Sequence, residues 1–226
     1  IDAGPVRIRT AVEGEGPLVL MVHGFPESWY SWRHQLGPVA QAGFTAAAID
    51  VRGYGGSEKP TRVEDYAMEQ LVADIDAVAQ ALQPGAPAIL VGHDWGAPQV
   101  WNAALTRPDR FRAVAALSVP YTGVPARPFT ETFRHAFTNK GRFFYQEWFQ
   151  EVGPAEREAE ADVRDFLRKF YYAISGDAPP GTWPTKPAGA TLLQDMVDPD
   201  PFPAWLSDAD LDYYVAEFEA SGFFGP

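Results

Sequence analysis

Asp94 is the residue whose position most clearly suggests chemistry. It lies in the segment Val91-Gly92-His93-Asp94-Trp95-Gly96-Ala97. Glycines two residues before and two residues after a central residue are typical of a nucleophile elbow, a sharp strand-to-helix turn that exposes that residue. An aspartate side chain is a carboxylate at neutral pH and can attack carbon directly, which gives an alkyl ester that must then be hydrolysed. Such chemistry suits epoxides and alkyl halides better than amides.

Asp94 has one simpler interpretation, as the cap of the helix predicted to start at Gly96, because aspartate caps helix N-termini well. Capping requires neither the flanking glycines nor an apolar strand in front of them. We therefore prefer the interpretation as a nucleophile.

A second segment, His23-Gly24-Phe25-Pro26-Glu27-Ser28-Trp29, also follows a predicted strand directly. By itself this sequence indicates no more than an ordinary turn. Together with the elbow it predicts an oxyanion hole, in which a backbone N–H of this loop and the N–H of the residue after the nucleophile face a developing oxyanion. The predicted donors are the amides of Phe25 and Trp95.

A third segment, Asp50-Val51-Arg52-Gly53-Tyr54-Gly55-Gly56-Ser57, places three glycines next to an arginine. It lacks the Lys-Ser/Thr pair of a P-loop and a complete G-x-G-x-x-G, so we interpret it as a structural loop and not as a phosphate site.

The elements around these segments alternate between strand and helix in the first half of the chain. Strand patterns are predicted at 6–12, 18–22, 44–49, 88–91 and 111–118, and helical patterns at 31–41, 66–82 and 96–105. This alternation predicts an α/β fold with a mostly parallel sheet covered by helices. Ligands of such sheets bind at the carboxyl ends of the strands, where all three segments begin.

After Pro120 the pattern becomes helical and rich in aromatic residues. Helices are predicted at 130–137, 142–151, 155–174 and 207–221. We expect two domains, an α/β core over residues 1–120 and a helical cap, or lid, over residues 121–226.

Charge and composition restrict the partners. The chain of 226 residues has a formal net charge of −12 and no cysteine. The negative charge disfavours nucleic acid and anionic membrane surfaces, and the lack of cysteine excludes disulfides and thiolate chemistry. The longest apolar run, Pro17–Val22, is too short to span a bilayer. We expect a cytoplasmic protein, with a homodimer as the assembly to test.

Four segments together resemble the soluble type of epoxide hydrolase. They are residues 23–33, 52–57, 92–97 and 144–151, and they occur in the order found in that family. The resemblance implies an α/β-hydrolase core with a helical cap, a small apolar epoxide as substrate, a role in detoxification, and neither a metal nor an organic cofactor.

Further site residues follow from this resemblance. Tyr145 matches the first of two cap tyrosines that donate a proton to the epoxide oxygen, although a core aromatic would be the default interpretation of a single tyrosine. Trp95, Trp148 and Phe149 are the candidate substrate-binding residues. Tyr171, Tyr172, Tyr213 and Tyr214 carry no such match and are expected to pack.

The resemblance also implies a histidine and a second carboxylate that activate water, and these have no match. The four histidines are His23, His34, His93 and His135, and none lies where the family has its base. Leu117–Pro120, where some haloalkane dehalogenases carry the acid, contains no carboxylate. We expect the chain to be truncated before the second cap tyrosine, the histidine and the last core elements.

Two other functions stay open. A dehalogenase shares the Asp-Trp elbow but needs halide-binding side chains where Phe25 and Tyr145 stand. A non-catalytic α/β-hydrolase that binds a small apolar ligand under its lid would have no base at all.

Overall fold

A computed structural model describes residues 1–124, 126–183 and 185–226. The chain forms two compact units. The first comprises Ile1–Tyr121 with Gly225–Pro226, and the second comprises Thr122–Phe224.

The first unit is an α/β sheet structure. Its strands are β1 (Thr10–Glu13), β2 (Leu18–Val22), β3 (Thr45–Ile49), β4 (Ala88–His93) and β5 (Phe111–Leu117), and its helices are α1 (Arg33–Gln41), α2 (Met68–Leu82) and α3 (Gly96–Thr106). Short 3₁₀ turns cover Trp29–Trp32 and Val63–Tyr66. The strand order is β1-β3-β2-β4-β5, with β1 antiparallel and the others parallel, so the predicted mostly parallel α/β fold is confirmed.

The centre of this sheet is β2, whose five residues are all buried. A parallel strand covered on both faces requires a continuous apolar run, which Leu18–Val22 supplies. Val19 and Met21 pack in one cluster with Trp32 and Leu36 on the α1 side of the sheet. Helix α3 packs on β4 and β5 and against α2.

Strand register brings the three sequence segments to one edge of the sheet. Val22 of β2 lies opposite Ile49 of β3 and Gly92 of β4. The chain therefore leaves these neighbouring parallel strands at the same level, and the residues that follow them are neighbours in space.

The first predicted strand was placed too early. Residues 6–9 are not part of β1 because the backbone of Arg7 and Arg9 bonds to the loop after β3, whereas that of Val6 and Ile8 bonds to Ala3 and Ile1. The carbonyl of Arg9 accepts the Asp50 N–H at 3.0 Å, and the carbonyl of Arg7 accepts the Glu58 N–H at 3.0 Å. Only Thr10–Glu13 pairs with β3.

The second unit is helical in its described residues. Its helices are α4 (Phe129–Ala136), α5 (Tyr145–Trp148), α6 (Pro154–Ala161), α7 (Val163–Ile174) and α8 (Asp208–Ser221), with a 3₁₀ turn at Thr138–Lys140. Its core lies between α7 and α8, where Phe166 stacks on Phe170 and meets Phe223 edge-on. Tyr171 and Tyr214 are in ring contact across the same pair of helices.

Two helix predictions in this unit were wrong in extent. The helix predicted at 142–151 is only α5, because Phe143 donates its N–H to Lys186 at 2.9 Å and Arg142 bridges Pro187. The single helix predicted at 155–174 is two helices. Asp162 has extended backbone angles and its side chain caps α7 by accepting the Asp165 N–H at 2.9 Å.

Candidate active site

The elbow forms between β4, which ends at His93, and α3, which begins at Gly96. Asp94 lies in the left-handed region with φ of 48°, a conformation that non-glycine residues adopt rarely and mostly where a structure requires it. A Cβ on Gly96 would lie 2.2 Å from the Val22 carbonyl oxygen, and one on Gly92 would lie 2.4 Å from the Gly96 carbonyl oxygen. The close approach of strand and helix therefore requires glycine at both positions.

Asp94 does not cap the helix. The residue at the N-cap of α3 is Trp95, and no side chain accepts a hydrogen bond there. The carboxylate of Asp94 instead faces the loop after β2.

The loop after β2 contacts the Asp94 carboxylate directly. The Phe25 N–H donates to Asp94 Oδ1 at 3.0 Å. Gly24 permits this approach, because a Cβ there would lie 2.4 Å from the Asp94 Cβ. Among the described residues, the Trp95 N–H makes no hydrogen bond to this carboxylate, and the residue Trp95 is 42% exposed.

Glu27 joins this loop to the end of β4. Its Oε2 accepts the Gly24 N–H at 2.9 Å, and its Oε1 lies 2.8 Å from His93 Nδ1. One carboxylate thus connects the residue before Phe25 with the residue before Asp94. The sequence patterns predict no role for Glu27 or His93, although a carboxylate three residues after the glycine of a tight loop is a signal for the local bond to the Gly24 N–H.

Glu27 and His93 perturb each other electrostatically. The hydrogen bond to Glu27 raises the pKa of His93, against an opposing effect of partial burial. Burial would raise the pKa of Glu27, but the hydrogen bond and the positive charge of His93 and the Gly24 N–H together lower it. The pair is therefore favoured as imidazolium and carboxylate.

His23 is held as a neutral imidazole beneath the same loop. Its Nδ1 faces the Gly24 carbonyl at 2.8 Å, and its Nε2 accepts the Val51 N–H at 3.0 Å. A carbonyl only accepts and an amide N–H only donates, so the proton belongs on Nδ1. Burial lowers the pKa of His23, which agrees with the neutral form. Both ring nitrogens are thus occupied by structural bonds.

The glycine-rich loop after β3 makes structural contacts. Asp50 is fully buried and accepts the N–H groups of Trp29 and Gly56, both at 2.9 Å, as well as Arg9 Nε. Arg52 forms a buried two-point ion pair with Asp74, with both N···O distances 2.6 Å. These bonds hold the loops after β2 and β3 in fixed positions.

Tyr145 lies in the second unit, at the first residue of α5. Its ring meets Phe149 and Trp183 edge-on, with centroids 5.9 and 5.4 Å away. Its phenol oxygen accepts a hydrogen bond from Gln146 Nε2 at 3.1 Å. Trp148 contacts Phe149 in the same aromatic group.

Of the other histidines, His34 lies on α1 of the first unit and His135 lies on α4 of the second unit. Among the described residues no group of three His, Asp or Glu side chains is arranged to hold a metal ion. No helix within residues 1–124, 126–183 and 185–226 is long and apolar enough to cross a membrane.

Comparison with known proteins agrees with this fold. The family described as the alpha/beta hydrolase fold matches residues 17–175. Epoxide hydrolase A of Mycobacterium tuberculosis is 41% identical over all of this chain, which spans 70% of that protein.

Two solved structures are also similar. An epoxide hydrolase from an endophytic Streptomyces is 48% identical, with a TM-score of 0.90 over 96% of this chain and 66% of its own. Epoxide Hydrolase A from Mycobacterium thermoresistibile is 39% identical, with a TM-score of 0.93 over all of this chain and 70% of its own. The chain belongs to the epoxide hydrolases of the α/β-hydrolase fold family.

Proposed function

We propose that this protein opens epoxides through a covalent ester on Asp94 and that hydrolysis of the ester releases a vicinal diol. The observation that carries the proposal is the Asp94 carboxylate itself, held at a strained elbow with one oxygen bonded to the Phe25 N–H. The names of its relatives, epoxide hydrolases in Mycobacterium and Streptomyces, support the substrate class.

The two carboxylate oxygens of Asp94 would have different roles. Oδ1 already accepts the Phe25 N–H, so Oδ2 is the oxygen we assign to the attack. In the first step Oδ2 forms a bond to a ring carbon, the ring C–O bond breaks, and its electron pair goes to the epoxide oxygen. That oxygen takes the phenol proton of Tyr145, which leaves a tyrosinate.

In the second step water attacks Cγ of the ester and the Cγ–Oδ2 bond then breaks, so that Oδ2 leaves as the second oxygen of the diol and Asp94 regains a carboxylate that contains the water oxygen. The two protons of the water end on that diol oxygen and on the Tyr145 phenolate. Oδ1 becomes the carbonyl oxygen of that ester and gains negative charge, which the Phe25 N–H is placed to stabilise. The Trp95 N–H is the second proposed donor. The water needs a base, and His23 is unsuited because structural bonds occupy both of its ring nitrogens.

The helical second unit is proposed to act as a cap that supplies Tyr145. Trp148 and Phe149, together with Trp95 of the first unit, are proposed as apolar surface for the substrate. Aromatic walls with one proton donor suit an epoxide that carries an aryl or alkyl group.

Incubation with styrene oxide followed by intact-mass spectrometry tests the proposal. We expect an adduct heavier by one substrate molecule, located on Asp94 by peptide mapping, or phenylethane diol where the ester turns over. The Asp94→Asn variant is the control because its amide has nearly the same shape but is a far weaker nucleophile.

Tyr145→Phe is the second informative variant. It should slow adduct formation without changing the mapped residue, because only the proton donor is removed. A folded protein that gives neither adduct nor diol would contradict the proposal, and release of halide from an alkyl bromide instead would indicate a dehalogenase.

A further inference from the structure

The phenol of Tyr145 has a neighbouring donor that is not part of the reaction as proposed above. Gln146 Nε2 donates to the Tyr145 oxygen at 3.1 Å, within the first turn of α5. The turn itself is secured from the far end, because Phe149 donates its N–H to the Tyr145 carbonyl at 2.9 Å. The amide and the phenol are therefore presented on one short, fixed piece of backbone.

We propose that Gln146 is a positioning residue that makes Tyr145 an effective proton donor. An amide NH₂ can only donate, so its bond to the phenol oxygen directs the O–H proton away from Gln146. The inference rests on the proposed function, because the proton in question is the one that the epoxide oxygen receives.

The same bond matters more after the proton has left. The Tyr145 ring packs against the rings of Phe144, Phe149 and Trp183, so its surroundings are largely apolar. A charged oxygen in apolar surroundings is costly, and a hydrogen bond to the charged form offsets that cost. Gln146 would thus stabilise the tyrosinate as it develops, which speeds ring opening.

The amide must face the phenol with its nitrogen for this role. The opposite orientation would make the Gln146 carbonyl an acceptor for the phenol proton and would withhold that proton from the substrate. The property to test is therefore whether the Gln146 side chain presents a donor or an acceptor to the phenol, and not the shape of that side chain.

Two variants separate polarity from packing. Gln146→Met keeps the length of the side chain and removes the donor, whereas Gln146→Glu keeps the shape and presents acceptors to the phenol. In single-turnover adduct formation with styrene oxide we expect Gln146→Met to be slower by about tenfold, and Gln146→Glu to be slower still at neutral pH.

The Tyr145→Phe background shows whether the effect passes through the phenol. There we expect Gln146→Met to change the rate by less than about twofold, because a phenyl ring has no proton to position. An equal loss with and without the phenol, or wild-type rates for Gln146→Met, would overturn the proposal.

A second measurement does not depend on activity. With ¹³C at Cζ of the tyrosines, the Tyr145 signal is identified by its loss in Tyr145→Phe, and its titration is followed by NMR. Gln146→Met should shift the pH at which Tyr145 loses its proton upward. An unchanged titration overturns the inference, whereas the expected shift in a protein that forms no adduct supports the contact and refutes only the proposed function.

Discussion

At the scale of single residues, Glu27 links the loop after β2 to the end of β4. It bonds both the Gly24 N–H and His93, and so couples the loop that carries Phe25 to the residue before Asp94. Its pKa is lowered, so its contribution to stability is present above the ordinary value of 4.5 and is lost as pH falls through the lowered value. The pKa of His93 is raised, so its contribution is present below the ordinary 6.5 and is lost as pH rises through the raised value.

Glu27→Gln should therefore cost stability in a pH-dependent way. We expect the loss of unfolding free energy to be larger at about pH 5.5 than at about pH 9, where His93 has lost its charge. The difference will be modest because the His93 side chain is 35% exposed. Urea unfolding at both pH values, followed by circular dichroism, measures it.

Glu64→Gln is the matched control. Glu64 pairs only with Arg62, and both side chains are more than 70% exposed, so its substitution should change little at either pH. A Glu27→Gln loss that grew from pH 5.5 to pH 9 would refute the ion pair.

Asp94 could be found from sequence because its evidence is local, in an apolar strand and two glycines within the nine residues 88–96. The same holds for the Phe25 donor once the elbow is recognised. The bonds from Glu27 to His93 and from His23 to Val51 could not be found, because they depend on β2 lying between β3 and β4 with their carboxyl ends level. Strand order of this kind is a tertiary property that no single segment encodes.

Among strands and helices, the junction of β4 and α3 decides where the nucleophile lies. Helix α3 starts so close to β2 that an added Cβ on Gly96 would meet the Val22 carbonyl. Val22 belongs to a strand paired on both sides, so it has little room to move. The elbow is thus fixed by backbone contacts between elements more than by side chains.

Gly96→Ala should destabilise the first unit by about 1–3 kcal/mol, the usual cost of overpacking a tight interior. Gly176→Ala is its control. Gly176 is exposed, its φ is not positive, and a Cβ added there would meet no described atom within 4 Å beyond its chain neighbours. That variant should change the free energy of unfolding by less than about 0.5 kcal/mol, as is usual for surface substitutions. Urea unfolding of both variants measures the difference, and a neutral Gly96→Ala would contradict the close approach.

Element boundaries were predictable where a segment's partners are close in sequence. The limits of β2 and α3 followed from apolar runs and glycines. Residues 142–144 were misassigned because their backbone partners lie more than forty residues later, at Lys186 and Pro187. An aromatic periodicity in the sequence does not reveal such a distant partner.

At the scale of the whole chain of 226 residues, the net charge of −12 is unevenly divided. Residues 122–224 contain 17 acidic and 9 basic side chains, so this unit carries most of the excess. Charges of one sign repel ligands of the same sign at long range, and salt screens that repulsion within about 10 Å at 0.1 M. The field should therefore discriminate between neutral and anionic epoxides before any contact in the site.

Anionic epoxides should accordingly react more slowly at low salt. We expect the second-order rate of Asp94 adduct formation with 3-phenylglycidate to rise about two- to fivefold between about 20 and 300 mM sodium chloride. Its methyl ester has the same skeleton without the charge, so its rate should change little over that range. Intact-mass time courses for both compounds give the rates directly. If 3-phenylglycidate and its methyl ester showed the same salt dependence, electrostatic discrimination would be refuted. If the rate for 3-phenylglycidate fell as salt rose, a cationic group near the site would outweigh the net negative charge.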